Sequence, residues 1–262
     1  MSQLKEERQQ IIVQWVNEAK RVNVTDMAKR FDVTPETIRR DLSELEEQEL
    51  LTRVHGGAVI YTKLEKEQAF FKKLDINRTE KEQIALQASL LIEDGDTIAI
   101  DVGTTTVHIA SFIQNVENLT VVTNSIAAAH LMNKAIEEKR VTGKVIMLGG
   151  TTNPAQSSVS GAMTLEWLSH MTVDKAFISC GGIVADTVYD YDLDESLVSA
   201  KMMANSKRNI LLADSSKLGV PSFFSFSKAY QFDEVISDQA CPKDWQEWYQ
   251  RWTIAKRSRQ EC

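Results

Sequence analysis

The sequence lacks the features that would place it in a membrane, outside the cell or among metal proteins. No apolar run approaches the ~20 residues that a membrane-spanning helix needs, and no apolar segment follows the charged start MSQLKEERQQ, as it would in a signal peptide. Its three cysteines are scattered without a CxxC pair, which argues against a disulfide framework and a structural zinc site. We therefore expect a cytoplasmic protein with no membrane partner and no metal.

A broad excess of basic residues is also lacking. The 37 Asp and Glu outnumber the 30 Lys and Arg, and the formal net charge is -7. This composition excludes a protein that coats nucleic acid non-specifically. Local binding stays open, because salt limits the reach of distant charges to about 10 Å. The 262 residues suffice for one large domain, or for a small and a medium one.

Three helix-like patterns occupy the first fifty residues. Apolar spacing predicts a helix over residues 4–18, a short helix over residues 26–31 capped by Thr25, and a third helix that begins at Pro35. Proline loses no hydrogen bond at the first helical position, and Thr34 before it is a typical N-cap.

The third helix has one apolar and one polar face. Ile38, Leu42 and Leu45 recur at spacings of four and three and predict a buried stripe. The residues outside that stripe are Glu36, Thr37, Arg39, Arg40 and Ser43. The next segment, LLTRVHGGAVI, predicts a hairpin that carries Arg53 and His55. Two short helices followed by such a hairpin are typical of a winged helix-turn-helix.

Arg39 and Arg40 admit two interpretations. On an isolated helix they would form weak, exposed ion pairs with neighbours such as Glu36 and Glu44. On a winged helix-turn-helix they concentrate positive charge on the face that docks on DNA. The agreement of helices, caps, proline and wing favours DNA contact.

The segment VTDMAKRFDVTPETIRRDLSELEEQELLTRVHGGAV resembles the N-terminal domain of the DeoR family of bacterial transcriptional regulators. The resemblance implies that the third helix enters the major groove of double-stranded operator DNA, while the wing touches the backbone or the minor groove. The residues that it places near DNA are Thr34, Glu36, Thr37, Arg39 and Arg40 on the helix and Arg53 and His55 on the wing. Arginine suits both contacts, because its fork can bond guanine or clamp a phosphate.

Strand and helix signals alternate in the rest of the chain. After a helix over residues 79–92, this alternation predicts a Rossmann-like α/β fold with a mainly parallel sheet. The predicted strands are residues 97–103, 119–124, 144–150, 175–182 and 209–214. The predicted segments are a DNA-binding domain of residues 1–60, a linker of residues 61–77 and an α/β effector domain of residues 78–262. Within the linker, Phe70 and Phe71 are expected to pack on the larger domain or on a second subunit.

Polar loops follow these strands at the carboxyl edge, where open α/β sheets bind ligands. The stretch DVGTTTVHIA places a tight turn at Gly103 and three threonines at a helix N-terminus, an arrangement that can bind phosphate. It is neither a Walker A loop nor a GxGxxG fingerprint, so no nucleotide cofactor is expected. VVTNS has the same arrangement of a strand followed by a helix N-terminus, with Asn124 or Ser125 as the predicted cap. Ordinary capping explains each loop taken singly, but their shared edge favours a pocket.

The segments DVGTTT, VVTNS, LGG, SVSGAM, CGGI and LLADSSKLG are similar, in this order, to the sensor domain of DeoR-family regulators. The resemblance implies a fold related to ribose-5-phosphate isomerase and a pocket for a phosphorylated sugar. The effector residues that it implies are Asp101, Gly103, Thr104, Thr105, Thr106, Thr123, Asn124, Gly149, Gly150, Asp214 and Lys217.

One region departs from the family pattern. The family usually has a glycine-containing turn after GGI, then a helix with a basic residue three positions before its methionine. This chain has the Asp-rich turn VADTVYDYDLDES, and Ser199 stands three positions before Met202, with Lys201 on another helical face. The departure predicts a less anionic effector or another source of positive charge.

The resemblance implies a repressor of a carbohydrate-catabolic operon, working as a homodimer or homotetramer. Effector binding would change the spacing of two recognition helices. The alternative is an active sugar-phosphate isomerase or deaminase that carries a DNA-binding domain. Candidates for its general base are Asp101, Asp190, Asp192 and Asp194. None has a partner at a recognisable spacing, and His108 and His130 fall within helices, so we expect no enzyme.

Aromatic residues cluster near the C-terminus in DWQEWYQRW. Trp245, Trp248, Tyr249 and Trp252 predict one helical stripe. Base stacking is conceivable, but such a stripe more often closes a core or an oligomer interface.

Overall fold

The computed structural model describes residues 5–19, 21–48, 50–54, 56–60 and 68–255. The chain forms two compact units. One comprises Met1–Glu65 with Gly219–Pro221, and the other comprises Lys66–Leu218 with Ser222–Cys262. No helix among these described residues is long and apolar enough to cross a membrane.

The first unit is a winged helix-turn-helix. Its elements are α1 (Lys5–Ala19), β1 (Arg21–Asn23), α2 (Val24–Phe31), α3 (Pro35–Glu47), β2 (Leu51–Val54) and β3 (Gly57–Ile60). Ile12 of α1, Met27 of α2 and Ile38 of α3 are fully buried in one shared core. These three positions lie on the apolar faces of their helices, so burial of those faces against one another holds the unit together.

The wing contains one strand more than predicted. β3 pairs antiparallel with β2, as the hairpin prediction required, and also with β1. The amide of Val24 donates to the Gly56 carbonyl at 2.8 Å, so α2 begins directly where β1 leaves the sheet. Thr25 was therefore wrong as a cap, because Asn23 holds the N-cap position, without a side-chain hydrogen bond.

The second unit is an α/β domain. Its helices are α4 (Phe70–Leu74), α5 (Arg78–Ser89), α6 (Ile109–Phe112), α7 (Ile126–Glu137), α8 (Ala162–Ser169) and α9 (Leu193–Ala204). Its strands are β4 (Thr97–Ile100), β5 (Val116–Thr123), β6 (Val141–Met147), β7 (Thr151–Asn153), β8 (Ser158–Ser160), β9 (Val173–Ile178), β10 (Gly182–Val184), β11 (Thr187–Asp190), β12 (Ser206–Leu212), β13 (Phe224–Lys228), β14 (Glu234–Ser237) and β15 (Trp252–Ile254).

The main sheet has seven parallel strands in the order β15-β14-β12-β9-β4-β5-β6. The predictions of strands β4, β5, β6, β9 and β12 and of a parallel sheet are confirmed. Separate apolar clusters cover the two faces, one including Phe70, Ile84 and Ile98 and the other Met202 and Trp248. Because all seven strands run parallel, their carboxyl ends lie at one edge of the sheet.

Two small antiparallel sheets flank the main one, β10-β11-β13 and β7-β8. The Asp-rich segment that lacks glycine, predicted as one turn, supplies only Ala185 and Asp186 to the turn between β10 and β11, and its later residues form β11 and the start of α9. Ala185 adopts the left-handed backbone there, with φ +50°, a conformation that usually favours glycine. The hairpin thus forms, although its turn residue is strained.

The aromatic C-terminus differs from the prediction. The prediction of a single helical stripe was wrong, since a 3-10 helix spans Gln246–Arg251 and Trp252 begins β15. Trp245 and Trp248 are buried in the core of the second unit, as expected of a stripe that closes a core. Part of the predicted linker is likewise helical, because α4 buries Phe70 in the core and leaves Phe71 65% exposed.

Candidate functional site

The face of α3 that was predicted to meet DNA is open to solvent. The exposed residues on it are Thr34, Glu36, Arg39 and Arg40, and Thr37 is half-buried. Thr34 caps the helix, since its hydroxyl accepts the Thr37 amide at 3.2 Å, and Pro35 takes the first helical position. The cap and the proline were both predicted from the sequence and are confirmed.

Hydrogen bonds tie the wing to this face of α3. The Ser43 hydroxyl donates to the Arg39 carbonyl at 2.9 Å and accepts from Nη1 of Arg53 at 2.7 Å. The Arg53 amide donates to Oε1 of Glu46 at 2.8 Å. Arg53 therefore lies beside the recognition helix and adds a third arginine to its surface.

The two helix arginines are both exposed. Nη1 of Arg39 donates to Oε2 of Glu36 at 2.9 Å, in an exposed pair of the kind expected on a solvated helix. Arg40 extends from the same exposed face. His55 of the predicted DNA-contacting set lies outside the described residues.

At the carboxyl edge of the main sheet, Asp101 follows β4 and is 1% exposed. Its Oδ2 accepts from the Ser179 amide at 2.7 Å and from the Ser179 hydroxyl at 2.9 Å. Its Oδ1 is buried and has no hydrogen-bond partner among the described residues. Burial raises the pKa of Asp101 to about 6, against the lowering effect of the Ser179 amide and of the Ser179, Thr106 and Ser199 hydroxyls.

The loop after Asp101 is closely packed. A side chain at Gly103 would collide with the Ser179 hydroxyl, so only glycine lets these two strand ends approach. The Thr106 hydroxyl is turned inward onto the carbonyls of Asp101 and Gly103. A 3-10 turn over Thr106–His108 stands where the sequence predicted the start of a helix. Thr106 thus holds the shape of the loop, and Thr104 is half-buried beside the buried Thr105.

The loop after β5 is also shaped by its own side chains. The Thr123 hydroxyl donates to the Ile100 carbonyl at 2.7 Å and accepts the Ser125 amide at 3.0 Å. Ser125, rather than Asn124, caps α7 through the Ala128 amide. Asn124 donates to the Val159 carbonyl at 3.1 Å, and its buried Oδ1 has no partner in the described part of the chain.

Gly149 and Gly150 follow β6. Gly150 has φ +153°, and a side chain there would collide with the Thr164 hydroxyl and the Ser160 carbonyl. A side chain at Gly149 would make ordinary contact with Trp167, 3.4 Å away. The sequence requirement for glycine is therefore strict at 150 and weak at 149.

Asp214 and Lys217 follow β12. Oδ1 of Asp214 accepts from Nδ2 of Asn77 and from the Ser216 amide, both at 3.0 Å, while its buried Oδ2 lacks a partner among residues that the structure describes. Nζ of Lys217 lies 5.8 Å from the ring centroid of Tyr191. Burial alone would lower the Lys217 pKa, but the surrounding negative groups, Asp214 among them, outweigh it and raise that pKa.

Lys81 belongs to this region and was missed in the sequence. It is 3% exposed, and its Nζ donates to the Lys73 carbonyl at 2.5 Å. Burial lowers the Lys81 pKa to about 8, with Lys217 lowering it further and Asp214 opposing the shift. The available signal was its position on the apolar face of α5, three and four residues before Ile84 and Ala85.

Two of the carboxylates considered as general bases, Asp190 and Asp192, have structural roles. Asp192 caps α9 by accepting the Glu195 amide at 2.9 Å, and Asp190 accepts the Tyr191 amide at 2.8 Å. Asp194 is exposed, and Ser199 is buried on α9. Burial lowers the pKa of His108, so this imidazole is neutral at pH 7.

Comparison with known proteins assigns both units to one family. Residues 8–63 match the DeoR-like helix-turn-helix domain, and residues 76–239 match the DeoR C-terminal sensor domain. An HTH-type transcriptional regulator from Staphylococcus epidermidis is 44% identical over 211 residues, which are 80% of this chain and 83% of that protein.

Two further likenesses differ in strength. The glycerol-3-phosphate regulon repressor of Escherichia coli is 31% identical over 88% of this chain and 90% of its own length. The structure of a ribose 5-phosphate isomerase from Plasmodium falciparum aligns with a TM-score of 0.36 at 15% identity, over 53% of this chain and 52% of that one.

Proposed function

The chain belongs to the DeoR family of transcriptional regulators, and we propose that it represses a carbohydrate-catabolic operon until a phosphorylated sugar binds its second unit. The observation that carries the effector part is the buried Lys81 and the half-buried Lys217 beside one buried carboxylate, Asp214. Two neighbouring ammonium groups repel each other, so the protonated form of each costs free energy when both are shielded from water. A bound phosphate would lower this cost for both lysines, because its negative charge pairs with them.

The DNA-binding part rests on α3 and the wing. The exposed face with Arg39 and Arg40, joined by Arg53 through Ser43, presents three guanidinium groups. Such a face reads base edges and clamps phosphates. The remaining members of the interface are Thr34, Glu36, Thr37 and His55. One recognition helix reads one half-site, so we propose that the protein binds its operator as a homodimer or homotetramer.

In the proposed effector site, different residues bind the phosphate and the sugar hydroxyl groups. The phosphate lies near Lys81 and Lys217, and the hydroxyl groups of the sugar donate to the unpartnered oxygens of Asp101, Asn124 and Asp214. Gly103 and Gly150 let the backbone lie close to the neighbouring strand ends, and the hydroxyls of Thr106 and Thr123 fix the loops after β4 and β5 by hydrogen bonds. The residues completing the proposed site are Thr104, Thr105 and Gly149.

Regulation requires that the effector bind the DNA-free protein more tightly than the DNA-bound one. By linkage, DNA then weakens effector binding by the same factor. Effector binding satisfies this requirement without any chemical reaction of the effector. The relatives reported above are also named as regulators. We therefore propose a switch without turnover, which predicts that a bound sugar phosphate is recovered chemically unchanged.

The test combines two measurements on the full chain. Operator DNA is first selected from random fragments, and its release is followed by fluorescence anisotropy across a panel of sugar phosphates and unphosphorylated sugars. A ligand at a hundred times its Kd stabilises the folded state by about 2.7 kcal/mol, which thermal unfolding detects. Lys81→Met is expected to abolish both the shift and the release while DNA is still bound.

The matched control is Lys134→Met, because Lys134 is an exposed lysine of the same unit that pairs with Glu138 at 3.7 Å. It should respond like the unmodified protein. The effector proposal fails if Lys81→Met keeps the full response, and the repressor proposal fails if the selected DNA is bound equally with and without every phosphate in the panel.

A further inference from the structure

Helix α9 has an apolar stripe on its outward side. Leu193 and Leu197, one turn apart, are both exposed, whereas Met202 on the other side of the helix is fully buried in the core. The half-buried Ala200 and the exposed Ala204 continue the stripe at helical spacing. Because the core of the second unit uses only the inner side of α9, this stripe is available to contact another protein surface.

The neighbouring helix α8 also exposes large apolar side chains. It packs beside α9 on the same face of the main sheet, where Leu168 of α8 and Val198 of α9 belong to one core cluster. Met163 and Trp167, again one turn apart, are 60% and 42% exposed. Single exposed apolar residues are normal, but four large ones on two packed helices of one layer indicate an interaction surface.

Two charged residues of opposite sign flank the stripe on α9. Asp194 lies in the first turn of the helix and Lys201 in its last turn. Seven residues make almost two full turns, so the two side chains leave the helix on the same side, about 10 Å apart along its axis. Neither forms an ion pair within the part of the chain that the structure describes. The outward side of α9 thus has an acidic end and a basic end.

We infer that α9 packs antiparallel against α9 of a second copy of this chain, about a two-fold axis beside Leu197. Asp194 precedes Leu197 by three residues and Lys201 follows it by four, so the axis brings Asp194 of each copy next to Lys201 of the other. An interface about a two-fold axis must complement itself, and this surface does so in both shape and charge. The inference rests on the proposed binding of operator DNA by two copies, and it adds the surface that joins them.

The size of a stable interface explains the contribution of α8. Each partner buries roughly 800 Å² in a typical stable interface. Helix α9 has 12 residues and is about 18 Å long, so one side of it supplies only part of that area. Met163 and Trp167 enlarge the apolar part, and tryptophan is among the residues that contribute most to binding energy at interfaces. The two charge pairs then lie at the rim, where interfaces are polar.

Charge reversal tests this interface without changing its apolar centre. Asp194→Lys and Lys201→Glu each place like charges opposite one another at both rim positions, which should weaken self-association by about ten-fold or more. Light scattering on the full chain is then expected to show an assembly of half the mass for each variant. An equimolar mixture of the two variants restores opposite charges at both positions, and it should recover the mass of the unmodified assembly. This recovery is specific to antiparallel pairing of α9.

The matched control is Lys134→Glu. Lys134 is exposed on α7, which packs in the apolar cluster on the other face of the main sheet, so its reversal should leave the mass unchanged. Circular dichroism checks that every variant folds. The inference is overturned if the unmodified chain is a monomer, if either reversal on α9 keeps the full mass, or if the mixture associates no better than its components.

Anisotropy titrations of the same proteins with the selected operator DNA separate this inference from the proposed function. If all variants assemble like the unmodified chain and bind the operator, another surface joins the copies and the inference is overturned, while the proposed function stands. If the reversals and their mixture behave as expected but the unmodified chain binds none of the selected DNA, the proposed function fails and the interface through α9 stands.

Discussion

The guanidinium group of Arg8 on α1 binds the carboxylate of Asp41 on the recognition helix α3. Nε of Arg8 lies 2.6 Å from Oδ2 and Nη2 lies 3.1 Å from Oδ1, and Asp41 is 2% exposed. The hydrogen bond to Asp41 raises the pKa of Arg8. This bidentate contact fixes α3 on α1. Asp41, which follows the proposed DNA-contacting Arg40 in the chain, therefore has a structural role.

Replacing Arg8 is expected to destabilise the DNA-binding unit. Arg8→Met leaves the Asp41 carboxylate buried without its cation, which costs about 3–5 kcal/mol. Urea unfolding of the full chain, followed by circular dichroism, should show an early transition, and DNA binding should be lost with it. Lys5→Met is the control, because Lys5 forms an exposed pair with Glu44 on the same two helices and should cost under about 1 kcal/mol. Equal effects of the two substitutions would contradict this account.

Gly103 and Gly149 are expected to respond differently to alanine. A Cβ at 103 overlaps the Ser179 side chain, and relieving that overlap costs about 1–3 kcal/mol. A Cβ at 149 reaches Trp167 at van der Waals distance and should change stability by under about 1 kcal/mol. Thermal unfolding measures both. A Gly103→Ala protein as stable as Gly149→Ala would show that the ends of β4 and β9 can separate at little cost.

Asp101 makes the ligand-free protein less stable at neutral pH. Its pKa is raised to about 6 in the folded state, so the folded protein binds this proton more tightly than the unfolded chain does. The group therefore costs stability as the pH rises from about 4 to 6, and the full cost, on the order of 3 kcal/mol, is present above that range. Asp101→Asn is expected to raise the free energy of unfolding at pH 7.5 and to change little at pH 4. A gain that is the same at both pH values would refute the assigned ionisation.

Arg40 is expected to contribute to DNA affinity. If its guanidinium binds a phosphate, Arg40→Ala weakens binding to all sequences and reduces the salt slope by about 1, whereas if it binds a base, the substitution costs about 1–3 kcal/mol at one operator position. Anisotropy titrations at several salt concentrations distinguish the two. Arg30→Ala serves as the control, because the Arg30 guanidinium lies 4.4 Å from the Trp15 ring and so is turned toward α1. Unchanged affinity and slope in Arg40→Ala would remove this residue from the interface.

The sequence predicts local structure well where a single segment contains the whole signal. The Thr34 cap depends on a hydroxyl and an amide three residues apart, and Pro35 fixes its own backbone angle. The strands β4 and β9 each end in a short apolar run that a polar residue follows, Asp101 or Ser179. Trp252 shows the limit, since a helical spacing of tryptophans concealed a strand that forms only by pairing with β14.

The candidate site was predictable only in part, for the same reason. Asp101 and Gly103 belong to one loop, and a family resemblance points to them. Lys81 is different, because its position on the apolar face of α5 indicates burial but says nothing about its partners. Its Nζ meets the Lys73 carbonyl on another helix, and its altered pKa depends on Lys217, which lies far along the chain.

The sequence by itself therefore determined the family, the winged helix-turn-helix and the parallel α/β sheet, because these follow from periodicity and from motifs that are local in the chain. The tertiary structure alone decided that the Asp101 carboxyl is buried beside Ser179 and Ser199 and that Lys81 is buried near Lys217. These properties depend on which side chains distant strands and helices bring together and on how much water they exclude. Charge and hydrogen bonding at the site are consequently set by packing, which no single segment encodes.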